Sequence, residues 1–164
     1  MTRNSRGSQP KRDVRRAGFS LIELLMAVSI VGILAGLAIP NMRNMTFRAR
    51  ATNVAADLEV LRVAALTYNG DQHRWPAERP TGEVPPELNG FLPEGFSFDG
   101  SGYQLDYENL SFPTGLPGDP NTTQLIGAAV TAVDERLSNA IVELLGGSII
   151  ASIGNTHTVV IDRS

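Results

Sequence analysis

The chain has no cysteine in 164 residues, which removes a disulfide framework, a thiolate metal site and a cysteine nucleophile. Lysine is nearly as scarce, Lys11 being the only one. The two histidines, His73 and His157, stand far apart and outside any ligand-spaced pattern, so neither a metal-binding nor a catalytic histidine is expected. No G-x-S-x-G or P-loop string occurs. With no catalytic residue, no cofactor site and no metal site visible, an enzyme is not expected. Charge is missing over one long stretch: from Phe19 to Ile39 the sequence FSLIELLMAVSIVGILAGLAI holds a single ionisable side chain, Glu23.

What charge there is falls unevenly. Arg3, Arg6, Lys11, Arg12, Arg15 and Arg16 face only Asp13 before residue 19, a local balance of +5, whereas the remainder sets eight basic against sixteen acidic residues. A basic start precedes an acidic body, and that acidity argues against general nucleic-acid binding, which needs a basic face. Hydrophobic content of 42% and charged content of 19% fit neither a disordered tail nor a polytopic membrane protein. The length leaves room for one modest domain plus one long segment.

As a helix, the 21 residues from Phe19 to Ile39 would extend about 31 Å, close to the thickness of a bilayer's hydrocarbon core. The basic residues before them place the N-terminus in the cytoplasm and the acidic body outside. Three readings of this segment compete. An ordinary secretory signal would be cut after the apolar run, where Gly36, Leu37 and Ala38 form a weak small-x-small site. Against it stand Glu23 inside the apolar region and Pro40 at the second position after that cut. A twin-arginine signal is suggested by Arg15 and Arg16, with the spacing to the following Phe and Leu off by one. In the third reading the cut precedes the run and the run stays in the mature chain.

The string RRAGFSLIELLMAVSIVGILAGLAIPN supports the third reading. A basic stretch, Gly, Phe, three residues and Glu, and then an apolar run ending in Pro-Asn resembles the leader and N-terminal helix of type IV pilins and type II secretion pseudopilins. The resemblance covers residues 12 to 69; beyond that it is architectural, and the 18-residue leader is longer than in many members. It implies an inner-membrane precursor cut by a prepilin peptidase between Gly18 and Phe19, with Phe19 then N-methylated. Its partners would be that peptidase and methyltransferase, the inner membrane, further copies of itself and other pilins or pseudopilins. Assembled, it would form a periplasmic or cell-surface filament. Without a lysine after the leader, cross-linking through lysine isopeptide bonds is excluded.

A carboxylate inside a bilayer costs about 2.5–3.5 kcal/mol on insertion scales and needs a partner. In the family, Glu23 would meet the Phe19 amine of an adjacent subunit; the alternative is its own Phe19 amine, since positions four apart share a helix face. Gly32 and Gly36 form a GxxxG spacing that permits close helix approach, although Gly is common in membrane helices without any dimer. With Pro40 they also make residues 32–40 the weakest part of the helix.

After Pro40 the apolar positions Phe47, Ala51, Val54, Leu58, Leu61, Ala65 and Tyr68 alternate four and three apart, one stripe on a continuing helix that ends at Asn69-Gly70-Asp71. Residues 70–100 are dense in Pro and Gly and read as an ordered loop with a short helical turn. Trp75, Phe91, Phe96 and Phe98 are expected to pin it to the body rather than form a receptor-binding patch. Strands are expected at Tyr103–Tyr107, Leu125–Val133, Ser148–Ile153 and Thr156–Ile161, the last two joined by Gly154-Asn155. Between them Asp134 can cap a helix whose Leu137, Ile141 and Leu144 face the core, closed by Gly146.

The expected fold is thus α+β and pilin-like. A leader occupies residues 1–18, a membrane or filament-core half-helix 19–40 and an amphipathic half-helix 41–69. A head at 70–164 then carries an antiparallel sheet of about four strands and an inserted short helix. Asp99, Asp106, Glu108 and Asp119 lie near loops and could in principle hold calcium, but their spacing is not diagnostic. Asn44, Asn109 and Asn121 open N-x-[ST] triplets of the kind chance supplies. Three functions fit this reading: a structural filament subunit, a minor tip subunit that recognises a surface or an exported protein, or a membrane-anchored periplasmic enzyme.

Overall fold

The computed structural model describes residues 18–116 and 118–163, without the side chains of residues 37, 38, 40, 41 and 43. The basic residues before Gly18 therefore lie outside the description. The chain divides at Pro40 into two units.

Helix α1 runs from Leu21 to Gln72, and its span includes Pro40. In the first unit the large side chains from Leu21 to Leu34 point in every direction around the helix, and all are exposed, between 55% and 76%. An apolar surface on every side has no buried face of its own, so nothing in this unit distinguishes an inside from an outside.

The second unit shows the opposite pattern. Ala51, Val54, Leu58, Leu61, Ala65 and Tyr68 recur at alternating spacings of three and four, and all are 0–6% exposed. They share one core with Leu105, Tyr107, Ala128 and Val130 of the sheet and with Leu137 and Ile141. The helix passes through Gly70 and stops after Gln72, where His73 takes the left-handed conformation at φ +56°.

The loop that follows carries a 3-10 turn at Pro86–Leu88 and is held by its apolar side chains as expected. Phe98 and Leu88 are buried, and Trp75, Phe91 and Phe96 pack against the core. Phe91 sets its edge on the Tyr68 ring at 5.6 Å.

The sheet has five antiparallel strands: β1 Asp99–Gly100, β2 Tyr103–Ser111, β3 Gln124–Ala132, β4 Ile149–Ile153 and β5 Thr156–Arg163, in the order β1-β2-β3-β5-β4. Four match the expected strands; the fifth, β1, has two residues and lacks any alternating pattern. Tyr103, Leu105 and Tyr107 of β2 alternate inward. Most of β3 is buried, as befits a central strand. Gly127 sits close to its neighbours there, since a Cβ would lie 3.2 Å from the Val159 carbonyl oxygen. The β4–β5 hairpin turns through Gly154 at φ +59°.

Helix α2, Glu135–Leu145, is inserted between β3 and β4. Asp134 caps it, accepting from the Arg136 amide at 2.7 Å. Leu137 and Ile141 are buried as expected, whereas Leu144 is 51% exposed. The inward face follows i, i+4 steps through Leu137, Ile141 and Leu145, so Leu144 is carried off it. Gly146 ends the helix in a right-handed conformation rather than a left-handed one. Its lack of a Cβ matters for space, since one would lie 2.8 Å from the Val142 oxygen.

Candidate functional site

The expected cleavage residue Gly18 precedes α1 with no atom within 4 Å of where its Cβ would stand. Phe19 is exposed beside it, and Ser20 is the residue before the helix. Glu23, the third helical residue, folds back so that its Oε2 accepts from the Ser20 amide at 2.9 Å, while the Ser20 carbonyl accepts from Leu24. Residues 20–23 thus read Ser-x-x-Glu, and a carboxylate that returns to the amide preceding the helix is the acidic half of a capping box. That signal stood in the sequence but was masked by the more conspicuous question of why a carboxylate sits in an apolar run. Within one chain, then, Glu23 is held at its own helix start, one residue from the Phe19 nitrogen.

The other polar side chain in residues 21–36 is equally self-contained. Ser29 donates its hydroxyl to the Leu25 carbonyl at 2.8 Å. Gly32 and Gly36 have no neighbour within 4 Å of a built Cβ, so both positions lie open on the helix surface. The side chain of Pro40 lies outside the description. Among the described residues no helix is long and apolar enough to cross a membrane. The apolar stretch with described side chains, residues 21–36, extends about 24 Å.

In the head, the loop carboxylates do not converge. Asp99 accepts from the Gln104 side-chain amide at 2.9 Å, and Asp119 from the Thr122 hydroxyl at 2.7 Å. Asp106 faces the Gly82 amide at 3.4 Å. Among the described residues no group of three or more potential metal ligands gathers. Burial raises the carboxyl pKa of Glu78, Asp106 and Glu108, and the charge of Asp106 adds to the rise at Glu78 and Glu108. Of the triplet asparagines, Asn109 is occupied on both sides of its amide, donating to the Pro76 carbonyl at 2.7 Å and accepting from Gln124 at 2.8 Å.

One histidine has a role that its sequence position did not reveal. His157 is buried in β5, with its Nε2 2.8 Å from the Ser138 hydroxyl of α2 and its Nδ1 2.9 Å from the Ser152 hydroxyl of β4. A neutral imidazole offers one donor and one acceptor and satisfies both hydroxyls. Desolvation lowers its pKa. Ser138 and His157 are 4% and 3% exposed, so no substrate reaches the pair and its role is to pin α2 against the sheet.

Comparison with known proteins places the N-terminal segment. The Prokaryotic N-terminal methylation motif matches residues 14–39. A type IV major pilin protein of Neisseria gonorrhoeae is 36% identical over 69 residues, covering 42% of this chain and 32% of the relative. A fimbrial protein of Pseudomonas aeruginosa is 44% identical over 48 residues, 29% of this chain and 31% of the relative. This chain thus spans about a third of the length of those pilins. The type II secretion system core protein G of Klebsiella michiganensis is 28% identical over 130 residues, covering 67% of this chain and 90% of the relative. No solved structure matches. This chain carries the Prokaryotic N-terminal methylation motif and is similar over part of its length to type IV pilins and to a core protein of the type II secretion system.

Proposed function

We propose that this chain is a structural filament subunit, made as an inner-membrane precursor, cut between Gly18 and Phe19 by a prepilin peptidase, N-methylated at Phe19 and assembled through α1. The observation that carries the proposal is the stretch of α1 from Leu21 to Leu34, whose large apolar side chains are exposed on all sides. Exposed apolar surface of that extent needs lipid or other helices. Ser29 is bonded within the helix, whereas Glu23 accepts from the Ser20 amide and still needs a cationic partner for its charge. The basic residues before Gly18 keep the N-terminus cytoplasmic, and the acidic head lies on the far side.

The capping geometry sharpens the order of events. In the precursor Glu23 is engaged with the Ser20 amide. Cleavage makes the adjacent Phe19 nitrogen a cationic amine within reach of the same carboxylate. That intrachain pair keeps Glu23 compensated until a neighbouring subunit offers the amine instead, which sets the register of the incoming chain. The alignment along nine-tenths of core protein G, reaching well beyond the helix, supports a secretion pseudopilus over an adhesive pilus.

Mass spectrometry of the membrane-extracted chain should find methylated Phe19 at the N-terminus; a chain beginning at Ile39 would overturn the proposal. Glu23→Ala should be cleaved and inserted yet give no filaments in sheared-cell fractions, and normal filament yield would remove Glu23 from assembly.

A further inference from the structure

We propose that β4 is a pairing edge through which the head joins its sheet to that of a second copy, by antiparallel contact between the two β4 strands. The proposal rests on the filament reading in one respect, the holding of copies side by side.

The two edges of the sheet are finished differently. On the β2 side the chain closes its own edge. β1 pairs with Tyr103 and Gln104, and the Leu105 amide donates to the Phe98 carbonyl at 2.8 Å. Further along, the Asn109 amide donates to the Glu78 carboxylate and the Asn109 side chain to the Pro76 carbonyl at 2.7 Å. β4 stands at the other end of the strand order, and among the described residues it pairs with β5 alone. Alternate amides and carbonyls of an outermost strand point away from its neighbour and call for an extended chain to bond. The side chains are open as well: Ala151 and Ser152 are exposed, and Ile150 and Ile153 are 43% and 83% exposed.

The usual guards of an edge strand are charged side chains and proline, placed where they spoil pairing with another chain. β4 has neither. From Leu144 to Ile161, eighteen consecutive residues hold no Asp, Glu, Lys, Arg or Pro, the longest stretch without charge after residue 41. His157, the one titratable group within it, is buried. The single irregularity of β4 is a bulge between Ile149 and Ala151, and it leaves Ala151, Ser152 and Ile153 in regular register with Thr158, His157 and Thr156. An apolar, β-branched and uncharged edge of this kind is fit for strand addition.

Charge and topology name the occupant. From residue 41 onward the chain has eight basic and fifteen acidic residues, so two heads repel over most of their surfaces, and an uncharged edge is where they meet without that cost. With the β2 edge already closed, the open outermost strand that a second head offers is its own β4. The contact is therefore two-fold and closes at two copies, linking heads in pairs without propagating further. Five residues of edge are too few to hold free heads together, since short two-stranded pairs are marginal in water. Pairing thus needs copies already side by side. An extended segment of a foreign protein is the competing occupant, and it would leave the β4 strands of neighbouring copies apart.

The absence of native cysteine makes the test direct. The full cleaved chain, carrying one of Ile150→Cys, Ala151→Cys, Ser152→Cys or Ile153→Cys, is reconstituted at high density in phosphatidylcholine bilayers and mildly oxidised, with Glu94→Cys in the exposed loop as control. Antiparallel pairing about a two-fold axis sets one residue against its own counterpart, so one of the four positions should form a disulfide dimer about tenfold or more above the control, with its neighbours falling away on both sides. Adding Ile153→Glu, or Ile150→Glu where residue 153 holds the cysteine, brings like charges together and should reduce that coupling by about tenfold. The urea midpoint of the head should not move, since both isoleucines are exposed. Coupling no stronger at any of the four positions than at 94 overturns the proposal, and so does coupling that the added glutamate leaves intact. Sheared-cell fractions separate this from the reading beneath it. Filaments in normal yield from a chain without β4 coupling overturn the pairing edge alone, whereas coupling in a chain that makes no filaments overturns the filament reading and keeps the edge.

Discussion

Residues 21–34 and 51–68 belong to one helix and are both rich in aliphatic residues, yet the first set is exposed throughout and the second has a face at 0–6%. The difference lies in arrangement rather than hydrophobicity. A stripe with polar residues opposite can be satisfied by one sheet, and the chain supplies that sheet. Apolar residues on all sides need neighbours on all sides, and the described residues of the chain leave those from Leu21 to Leu34 exposed. On the function proposed above, the first half would serve assembly and the second folding.

The same truncation should then have different consequences in the two halves. Leu61→Ala removes a fully buried side chain from the core and should cost about 2–5 kcal/mol in urea unfolding of the head. Leu25→Ala should leave the head's unfolding midpoint unchanged and act only on insertion or filament yield. A shift of the head's midpoint by Leu25→Ala would show that the halves are coupled through the helix and break the comparison.

A finer contrast lies between two inward tyrosines of β2. The Tyr103 hydroxyl donates to the Asp57 carboxylate of α1, whereas the buried Tyr107 hydroxyl has no partner among the described residues. Burial raises both phenol pKa values, with Asp57 reinforcing the rise at Tyr103 and the Glu78 and Glu87 charges that at Tyr107. Tyr103→Phe should cost about 1–2 kcal/mol, since a bond to a charged acceptor is lost while half-exposed Asp57 can rehydrate. Tyr107→Phe should be neutral or stabilise by up to about 1 kcal/mol, because an unsatisfied polar group leaves the core. Equal losses from the two would mean that Tyr107 has a buried water as partner.

His157 gives the head a pH dependence. Its folded pKa lies below the ordinary 6.5, so the unfolded chain takes up the proton first. The stability of the head should be level above that value and fall as pH drops below it, towards the depressed folded pKa. His157→Gln should flatten this slope even if it lowers stability overall, as read from urea midpoints across the window. The raised carboxyls of Glu78, Asp106 and Glu108 act oppositely and at lower pH, since there the folded chain binds the proton first and gains stability. A histidine slope that survives the substitution would assign the acid response elsewhere.

Most of the fold could be read from period and punctuation. Alternating steps of three and four announced the buried face of α1, and Gly154-Asn155 announced the final hairpin. What could not be read depended on partners distant in sequence. Leu144 fits the helical period of Leu137 and Ile141 but lies off the face that meets the core, because period fixes a side chain's bearing and not the extent of the surface opposite. The Ser138–His157–Ser152 contact joins three elements with no local signature. At the candidate site the residues Gly18, Phe19 and Glu23 form a motif in the sequence itself, and the structure added the Ser20–Glu23 hydrogen bond.

The weakest expected effect tests what holds the second half of α1 to α2. Arg48 reaches Glu143 at 2.9 Å, but the two side chains are 70% and 65% exposed. Water solvates both charges whether or not they meet, and ordering two long side chains consumes much of the Coulomb gain. A double-mutant cycle with Arg48→Ala and Glu143→Ala should therefore give a coupling of about 0.5 kcal/mol or less, fading further as salt is raised. Leu137 and Ile141 hold the junction instead, by burial that salt does not screen. A coupling above about 1 kcal/mol that persists in high salt would mean that the ion pair anchors α2, and the second half of α1 would then depend on charge as well as on its stripe.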